Sequence, residues 1–503
     1  MDHLAVVPII LPMFCGALLL LAGPRRLRLK RILGLLATLL QLPLAILLMG
    51  QATGGLQVYA AGNWAPPFGI VLVVDHLAAL MLLVSAVLAA AAMLYAVRGN
   101  DALGAHFHAL FQFQLMGING AFLTGDLFNL FVFFEILLIA SYALLLHGTG
   151  SARVRSGLHY VVLNLFGSAL FLIAVGTLYG VLGTLNMADL SQRVAQLAPA
   201  DIPLVGAAAM LLLVVFGLKA AVFPLYFWLP RAYAAATPPV AALFAIMTKV
   251  GIYSILRVYT QIFGESAAGP LAQLADAWLW PAGLLTLVLG SIGALAASTL
   301  NGLVAYLLLV SVGTLLAGLA MNSHAALVGS LFYLVHSTWI CGALFLLAGV
   351  LSRCRGWRFV GRLVPGPALP RPTLFGGLFF LAAISVIGLP PLSGFVGKLL
   401  LLRAAGTGIA AAWFYSLLLG SGLLALIAMS RAGTTLFWRI DPAAPPGEPL
   451  DRVRLLAAVA LLLCSPLLVV FAEPLLGYLD ATAAQLLEPS GYARQVLGGR
   501  GPW

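Results

Sequence analysis

Long apolar blocks alternate with short polar connections over the whole chain. Each block runs for about 18 to 28 residues, and a helix of that length, rising 1.5 Å per residue, crosses the ~30 Å hydrocarbon core of a bilayer. The pattern predicts about fourteen membrane-spanning helices, near residues 4–22, 31–49, 70–96, 105–123, 127–147, 157–183, 203–229, 239–263, 278–298, 300–319, 325–351, 374–402, 411–436 and 453–479. The predicted fold class is therefore an all-α, polytopic membrane protein.

The composition excludes a soluble globular fold. Of the 503 residues, 62% are apolar and 8% are charged, whereas soluble domains carry roughly 25% charged residues. The four cysteines, Cys15, Cys341, Cys354 and Cys464, form no CxxC or Cys/His spacing, and the sequence contains no P-loop, GxGxxG or HExxH motif. We expect no cofactor and no disulfide framework, and the sequence leaves a metal site undefined. No basic stretch precedes the first apolar block, which is predicted to be a retained helix rather than a signal peptide.

The distribution of charge predicts the orientation of the chain. The formal net charge of +11 would suit a nucleic-acid partner, but the basic residues fall in alternate loops. The largest groups lie at 25–31, where Lys30 is expected in the loop, and at 353–371. Because loops rich in Lys and Arg stay in the cytoplasm, both termini are predicted on the outer, periplasmic side, and no nucleic-acid partner is expected. Arg257, inside span 8, is expected to snorkel to the outer interface.

Two spans are interrupted near their middle by proline. Span 7 contains Pro224, and span 12 contains Pro390 and Pro391. Proline removes a backbone donor, and such a break persists in lipid only where protein or water satisfies the freed groups. The breaks are five spans apart, which predicts two five-helix repeats, spans 4–8 and 9–13, inverted with respect to each other. The predicted segments are 1–100, 101–265 (first repeat), 266–437 (second repeat) and 438–503; a simple proline kink without a site remains the alternative.

Four charged residues lie deep inside apolar spans: Glu135, Lys219, Lys249 and Lys398. A charge at the bilayer centre costs about 2.5–3.5 kcal/mol on insertion scales, so such groups usually face a bundle interior and have a partner. Lys219 is the expected partner of Glu135, and snorkelling is more plausible for Lys398. A buried lysine can release its proton when its partner changes, whereas arginine stays protonated. These residues are therefore predicted to form a proton path, with a static ion pair as the alternative.

Further polar residues lie within or near the same spans. His336, in the middle of span 11, titrates near neutral pH in its ordinary state and is predicted to carry protons between the lysines, although a packed core histidine is the alternative. Secondary candidates that would hold water or pack helices are Thr248, Ser311, Ser393, Asn164 and His159.

Several motifs resemble those of a known family. They are FNLFVFFE at 128–135 followed by Ser141-Tyr142, GLKAAVFPLYFWLP at 217–230, AAATPPV at 234–240, and LPPLSGF at 389–395 with Lys398. Together they resemble the antiporter-like subunits shared by respiratory complex I and Mrp-type cation/proton antiporters. The stretches 159–170 and 303–314, Lys at 249 and the chain length are most similar to the D-type subunits of the Mrp antiporters.

The resemblance implies a function and an environment. It implies a complex of about six or seven different subunits in the bacterial inner membrane, exchanging cytoplasmic sodium or potassium for external protons. It also implies that Glu135, Lys219, Lys249 and Lys398 lie on the proton path. Relatives often carry a lysine about five residues after the helix-11 histidine, whereas this chain has Cys341-Gly342 there, so the step between the repeats is expected to rely on His336 and water.

Three other functions stay open on the sequence. A proton-pumping subunit of a redox-driven complex, of the complex I or membrane-bound hydrogenase type, shares the motifs. A structural scaffold predicts that the buried lysines tolerate replacement. A carrier of organic solutes would need a larger polar cluster than the sequence offers.

Overall fold

A computed structural model describes residues 3–23, 26–265, 269–356, 359, 361–445 and 447–498. Most of these residues are helical. The helices are α1 (Val7–Leu21), α2 (Leu27–Ala52), α3 (His76–Ala96), α4 (Phe107–Leu123), α5 (Leu127–Leu146), α6 (Ser151–Leu182), α7 (Met187–Ala195), α8 (Ile202–Ala220), α9 (Trp228–Ala235), α10 (Pro238–Phe244), α11 (Met247–Gln261), α12 (Asp276–Ala296), α13 (Leu300–Leu319), α14 (His324–Arg355), α15 (Pro372–Ile387), α16 (Ser393–Ala404), α17 (Ile409–Phe437), α18 (Arg452–Val470), α19 (Ala472–Leu487) and α20 (Pro489–Val496). Arg25 and Arg358, counted among the basic loop residues, lie outside the described residues.

The membrane class predicted from the apolar blocks is confirmed. Within the described residues, 12 helical segments are long and apolar enough to cross a membrane. Predicted spans 4 and 12 are not among them, because α4 has 17 residues and span 12 is divided between α15 and α16. The count of fourteen therefore stays a prediction.

The chain is not entirely helical. Strands β1 (Gln57–Ala60) and β2 (Val71–Val74) form an antiparallel hairpin before α3. The prediction that span 3 begins as a helix at residue 70 is wrong, because Val-Leu-Val-Val favours a strand once a partner is adjacent. Asp75 then starts α3 by accepting a hydrogen bond from the Ala78 amide, at 2.8 Å.

Two helix pairs meet through equivalent glycine contacts. A Cβ added to Gly120 in α4 would overlap the ring of Phe133 in α5. A Cβ added to Gly293 in α12 would overlap the ring of Tyr306 in α13 in the same way. The second glycine and the second ring each lie 173 positions after the first. Equal spacing and equal contacts support the prediction of two related repeats.

The turns that follow these glycines also correspond. Asp126, which begins α5, forms an isolated antiparallel β-bridge with Asn186, which lies beyond α6. Thr299, which begins α13, forms the same kind of backbone bridge with Arg362, which lies beyond α14. Each of the two turns is thus joined to the segment after the next long helix.

The centre of the bundle is formed by α11, α13 and α14. Their membrane-length segments are almost wholly buried, whereas α6 and α17 leave most of their surface uncovered. Lys30 corrects a sequence-based prediction, because it lies within α2 rather than in a loop, is buried, and donates to the Ala105 carbonyl at 3.0 Å. The charge is satisfied by a backbone oxygen, which periodicity alone does not reveal.

An ion pair to Asp101, in the connection before α4, anchors the start of α2. Arg31 Nε lies 2.7 Å from Asp101, and His108 Nε2 lies 3.0 Å from the same carboxylate. Burial raises the pKa of the Asp101 carboxyl, but the hydrogen bonds from His108 and Arg31 outweigh burial and hold that pKa at about 2.

Candidate functional site

The break in predicted span 7 lies directly after Lys219. Helix α8 ends at Ala220, and Ala221 adopts a left-handed conformation with φ of 61°. The Leu218 carbonyl accepts from the Trp228 indole at 3.2 Å, and the Phe223 amide donates to Thr286 Oγ1 at 2.9 Å. The freed backbone groups are thus satisfied by protein, as a break in the membrane requires. Lys219 lies in the last turn, where the helix dipole favours a cation.

Glu135 and Lys219 are joined through a serine. Lys219 Nζ donates to Ser168 Oγ at 3.3 Å and to the Asn164 carbonyl at 3.2 Å, and Ser168 Oγ is hydrogen-bonded to Glu135. The structure gives no direct ion pair between the two charges within the residues it describes. The prediction that they are partners is modified, because Ser168, not singled out by sequence, lies between them. Lys219 is 4% exposed, so water does not reach it freely.

Lys249 lies beside an unpredicted helix interruption. The amides of Ala245 and Ile246 bond to carbonyls three residues back, which separates α10 from α11. Lys249 Nζ donates to Ser311 Oγ of α13 at 3.0 Å, and Thr248 Oγ1 bonds to Ala245 at 3.3 Å. The structure therefore brings Ser311 to Lys249, while Thr248 bonds the Ala245 carbonyl in the interruption before α11.

The helices that carry the first two lysines touch through Gly251. A Cβ on Gly251 would lie 2.6 Å from the Ala220 amide nitrogen and 2.9 Å from the Ala220 Cα. Ala220 follows Lys219, and Gly251 lies two residues after Lys249. Only a residue without a Cβ permits this approach of α8 to α11.

The second break repeats the association of a lysine with a helix C-terminus. Helix α15 ends at Ile387, with Gly388 left-handed at φ of 86°, and α16 begins at Ser393. Lys398 Nζ donates to the Ile387 carbonyl at 2.7 Å. Lys398 is 8% exposed and directed back toward the break, so the snorkelling that the sequence left open for it does not occur in the structure. The carbonyl end of a half-helix provides the negative potential that a cation needs.

His336 contacts a cluster of hydroxyl groups at the second break. His336 Nδ1 lies 2.8 Å from Ser393 Oγ. Ser393 lies 2.8 Å from Ser465 Oγ, and Ser465 lies 2.5 Å from Ser385 Oγ. Ser385, in the broken span, and Ser465, from α18, were both missed by the sequence analysis; their only sequence signal is a serine inside an apolar span.

The remaining predicted site residues lie elsewhere or act indirectly. His159 is exposed on α6, and its Nδ1 contacts the Arg155 carbonyl at 3.0 Å. Asn164 contributes its backbone carbonyl to Lys219, and its side-chain oxygen has no partner. Cys341 is buried in α14. The described residues contain no group of three or more His, Cys, Asp or Glu side chains suited to a metal ion.

Arg257 also departs from its prediction. It is 2% exposed and pairs with Asp75, which is 1% exposed, through two hydrogen bonds, one of 2.9 Å. The expectation that Arg257 snorkels to the interface is wrong. Its partner comes from the distant end of β2, which the sequence of α11 could not indicate.

Comparison with known proteins supplies the evolutionary context. The family described as NADH:quinone oxidoreductase/Mrp antiporter, TM, matches residues 124–435. Among curated proteins, the chain is 44% identical to the D-type subunit of a probable K(+)/H(+) antiporter of Rhizobium meliloti, over 99% of this chain and 98% of that protein. It is 39% identical to the D-type subunit of the Na(+)/H(+) antiporter of Bacillus subtilis, over 99% of this chain and all (100%) of that protein.

A solved structure matches over nearly the same length. A chain in the structure of the Mrp complex from Dietzia sp. DQ12-45-1b superposes with a TM-score of 0.87, at 29% identity and covering 99% of both chains. The match includes the segments before residue 124 and after residue 435 as well as the shared family region.

Proposed function

Since the chain belongs to the NADH:quinone oxidoreductase/Mrp antiporter transmembrane family, we propose that it carries protons in exchange for sodium or potassium as one subunit of a multisubunit antiporter. It is a multi-pass membrane transporter subunit and not an enzyme. The relatives that match it over 99% of its length are named as D-type antiporter subunits, one for potassium and one for sodium. Those names favour antiport over the redox-driven alternative and leave both cations as candidates.

The connection of Glu135 to Lys219 through Ser168 carries the proposal. A buried lysine whose only acceptors are a hydroxyl and a backbone carbonyl is stabilised as a cation by the Glu135 charge across the hydroxyl. When that carboxylate is protonated or moves, the support for the lysine charge weakens and Lys219 can release its proton. A relay requires this sensitivity, and a permanently charged arginine would not provide it.

The proposed path continues through the groups beyond the first break. Protons load Lys219 or Lys249 under the control of Glu135, pass His336 and leave through Lys398. Gly251 keeps the first two lysine-bearing helices in contact. The hydroxyls of Ser393, Ser465 and Ser385 are each both donor and acceptor, so they can pass a proton through the second break. Within the described part of the chain, no hydrogen bond joins Lys219, Lys249 and the hydroxyl cluster beside His336 to one another, so water would connect these three groups.

The proposal includes the setting of the chain. It resides in a bacterial inner membrane with both termini on the periplasmic side, surrounded by lipid and by the other subunits of a complex of about six or seven. The segments 101–265 and 266–437 act as inverted repeats, each with one broken helix, between the terminal segments 1–100 and 438–503.

The test uses everted membrane vesicles that contain the whole complex. An acid-inside pH gradient is imposed without an electron donor, sodium or potassium is added, and a fluorescent probe follows the gradient. The wild type is expected to collapse the gradient and Lys219→Met to preserve it. Lys30→Met is the matched control, because Lys30 is also buried and bonded to a backbone carbonyl but lies outside the path.

Each outcome has a definite meaning. A Lys219→Met complex that exchanges at the wild-type rate contradicts the relay. If neither chain responds to cations, but acidification that depends on Lys219 appears on adding an electron donor, the redox-driven alternative replaces the proposal.

A further inference from the structure

A stripe of buried polar residues runs from Lys249 toward the end of α11 that is predicted to face outward. Lys249, Tyr253, Arg257 and Gln261 follow one another at intervals of four residues, so each lies beside the next on the helix surface. All are nine-tenths or more buried. At 1.5 Å per residue the stripe is about 18 Å long, which is enough to cross the outer half of a ~30 Å hydrocarbon core. The stripe is therefore a direct route between the buried lysine and the outer end of its helix.

The route is closed at Arg257. The guanidinium bonds both oxygens of Asp75, and Asp75 also accepts from the Ala78 amide. Arginine stays protonated in proteins. The guanidinium therefore has no proton to release, and the Asp75 carboxylate that balances its charge is already bonded to Arg257 and to the Ala78 amide. The pair therefore places a barrier to proton transfer between Lys249 and the outer medium.

The neighbouring aromatic residues leave no hydrogen-bond chain around the arginine. Tyr253 donates its only hydroxyl proton to the Phe122 carbonyl at 2.6 Å, and its oxygen accepts from Arg257 Nε and Nη2 at 3.2 and 3.1 Å. The guanidinium carbon lies 5.3 Å from the ring of Tyr253 and 5.7 Å from the ring of Tyr492 in α20. These contacts exclude water from the barrier and hold the cation in place.

The chain termini build this closure. Asp75 precedes α3, and Tyr492 belongs to α20, so both lie outside the family region at 124–435. Gln485 in α19 accepts from the His76 amide at 3.1 Å, and Tyr478 donates to the His76 carbonyl at 2.9 Å. Helix α19 is thus fastened to the start of α3, directly beside Asp75. Beyond the barrier, neither amide atom of the buried Gln261 has a hydrogen-bond partner among the described residues.

We propose that the Arg257–Asp75 pair, clamped by Tyr253 and Tyr492, is an outer seal that separates Lys249 from the outer medium. The inference rests on the proposed function, because it assumes that Lys249 carries protons. With the seal intact, a proton on Lys249 leaves only sideways, toward His336 and Lys398. Exchange therefore stays coupled to the second repeat. Without the seal, the same proton escapes directly along α11.

The experiment measures passive proton leak in everted vesicles that contain the whole complex. A pH gradient is imposed in buffer free of sodium and potassium, and its decay is followed with a fluorescent probe. Arg257→Gln is expected to speed the decay by about tenfold or more, because it removes a guanidinium that cannot release its proton and leaves the Asp75 carboxylate free to accept one. Arg257→Gln combined with Lys249→Leu is expected to decay at the wild-type rate. Arg31→Gln, which breaks another two-bond arginine–aspartate pair away from α11, is the control and should not leak.

The results separate a seal from a purely structural ion pair. An assembled Arg257→Gln complex that does not leak, or one whose leak persists without Lys249, overturns the proposal. If Arg257→Gln does not assemble, the same pair of measurements on Arg257→Lys decides, since lysine keeps a cation beside Asp75 but can release its proton, whereas arginine cannot. The proposed function is tested separately in the same vesicles, by comparing cation-driven proton exchange of the wild type and of Lys249→Leu. Equal exchange rates would contradict the proposed function.

Discussion

Replacing Ser168 with alanine tests the connection between Glu135 and the buried Lys219 in the first repeat. The Ser168 hydroxyl accepts from Lys219 Nζ at 3.3 Å, and its single proton is shared between Glu135 and the Asn164 carbonyl of its own helix, which lies 3.0 Å away. Ser168→Ala removes the oxygen and leaves both charges, the helix and the backbone partner of Lys219 in place. The substitution therefore interrupts coupling without deleting a titratable group.

The expected magnitude follows from these contacts. A hydrogen bond to a charged group contributes about 1.5–3 kcal/mol. Ser168→Ala removes two such bonds, one to Lys219 and one to Glu135. The space left by the hydroxyl allows the two charged groups to recover part of the lost energy, so we take the net loss as one bond. Since 1.4 kcal/mol is a factor of ten, cation-driven proton exchange should slow by about 10- to 150-fold. Assembly should be unaffected, because a neutral hydroxyl on a helix contributes little to packing.

The assay is the decay of an imposed pH gradient in everted vesicles after adding sodium or potassium. Ser291→Ala is the matched control, because Ser291 is also buried and bonds the carbonyl four residues back, Leu287, at 2.8 Å, but the structure gives it no charged partner. An assembled Ser168→Ala complex that exchanges as fast as the Ser291→Ala complex would refute the reasoning. Glu135 and Lys219 would then act without the hydroxyl between them.

Three further predictions concern packing, the second break and pH. Gly251→Ala should weaken the contact of α8 with α11 by about 1–3 kcal/mol, because the new Cβ would lie 2.6 Å from the Ala220 backbone. The measurement is the thermal stability of the purified complex, which should fall. Gly376→Ala, at a glycine with open space around it, should leave the stability unchanged, and equal effects of the two variants would contradict the packing argument. Ser465→Ala should slow cation-driven proton exchange several-fold, because it removes the hydroxyl between Ser393 and Ser385. Ser421→Ala is the control and should not slow exchange, because the Ser421 hydroxyl bonds the Leu418 carbonyl of its own helix. An unchanged rate for Ser465→Ala would remove α18 from the path. Asp101→Asn should lower the thermal stability of the complex near neutral pH. The difference in stability between wild type and Asp101→Asn should fade as the pH falls from about 4 to about 2, because the pKa of the Asp101 carboxyl is lowered from 3.8 to about 2 and the stabilisation is lost only as the folded carboxylate becomes protonated. A difference that keeps its size at pH 2 would contradict the assignment.

The sequence predicted well whatever depends on local pattern. Apolar blocks longer than a bilayer core predicted the membrane class, since no soluble surface can be built from 8% charged residues. The interruptions at Pro224 and at Pro390-Pro391 were predicted because proline lacks a backbone donor, and in the structure α8 and α15 end before them. The interruption at Ala245 was not predicted, because no proline or glycine marks it. The cost of burying a charge selected Lys219, Lys249 and Lys398, all of which are nine-tenths buried.

What the sequence determined by itself is the set of apolar membrane segments and the identity of the charges inside them. The tertiary structure alone decided their partners, because hydrogen-bond partners come from residues far apart in the chain. Ser168 between Glu135 and Lys219, and Ser465 beside His336 and Ser393, are ordinary serines until two helices bring them together. Arg257 reads as an interfacial residue along α11 but is buried because Asp75, 182 positions earlier, neutralises it. Periodicity shows which residues share a helix face, and only the packing of helices shows what that face meets.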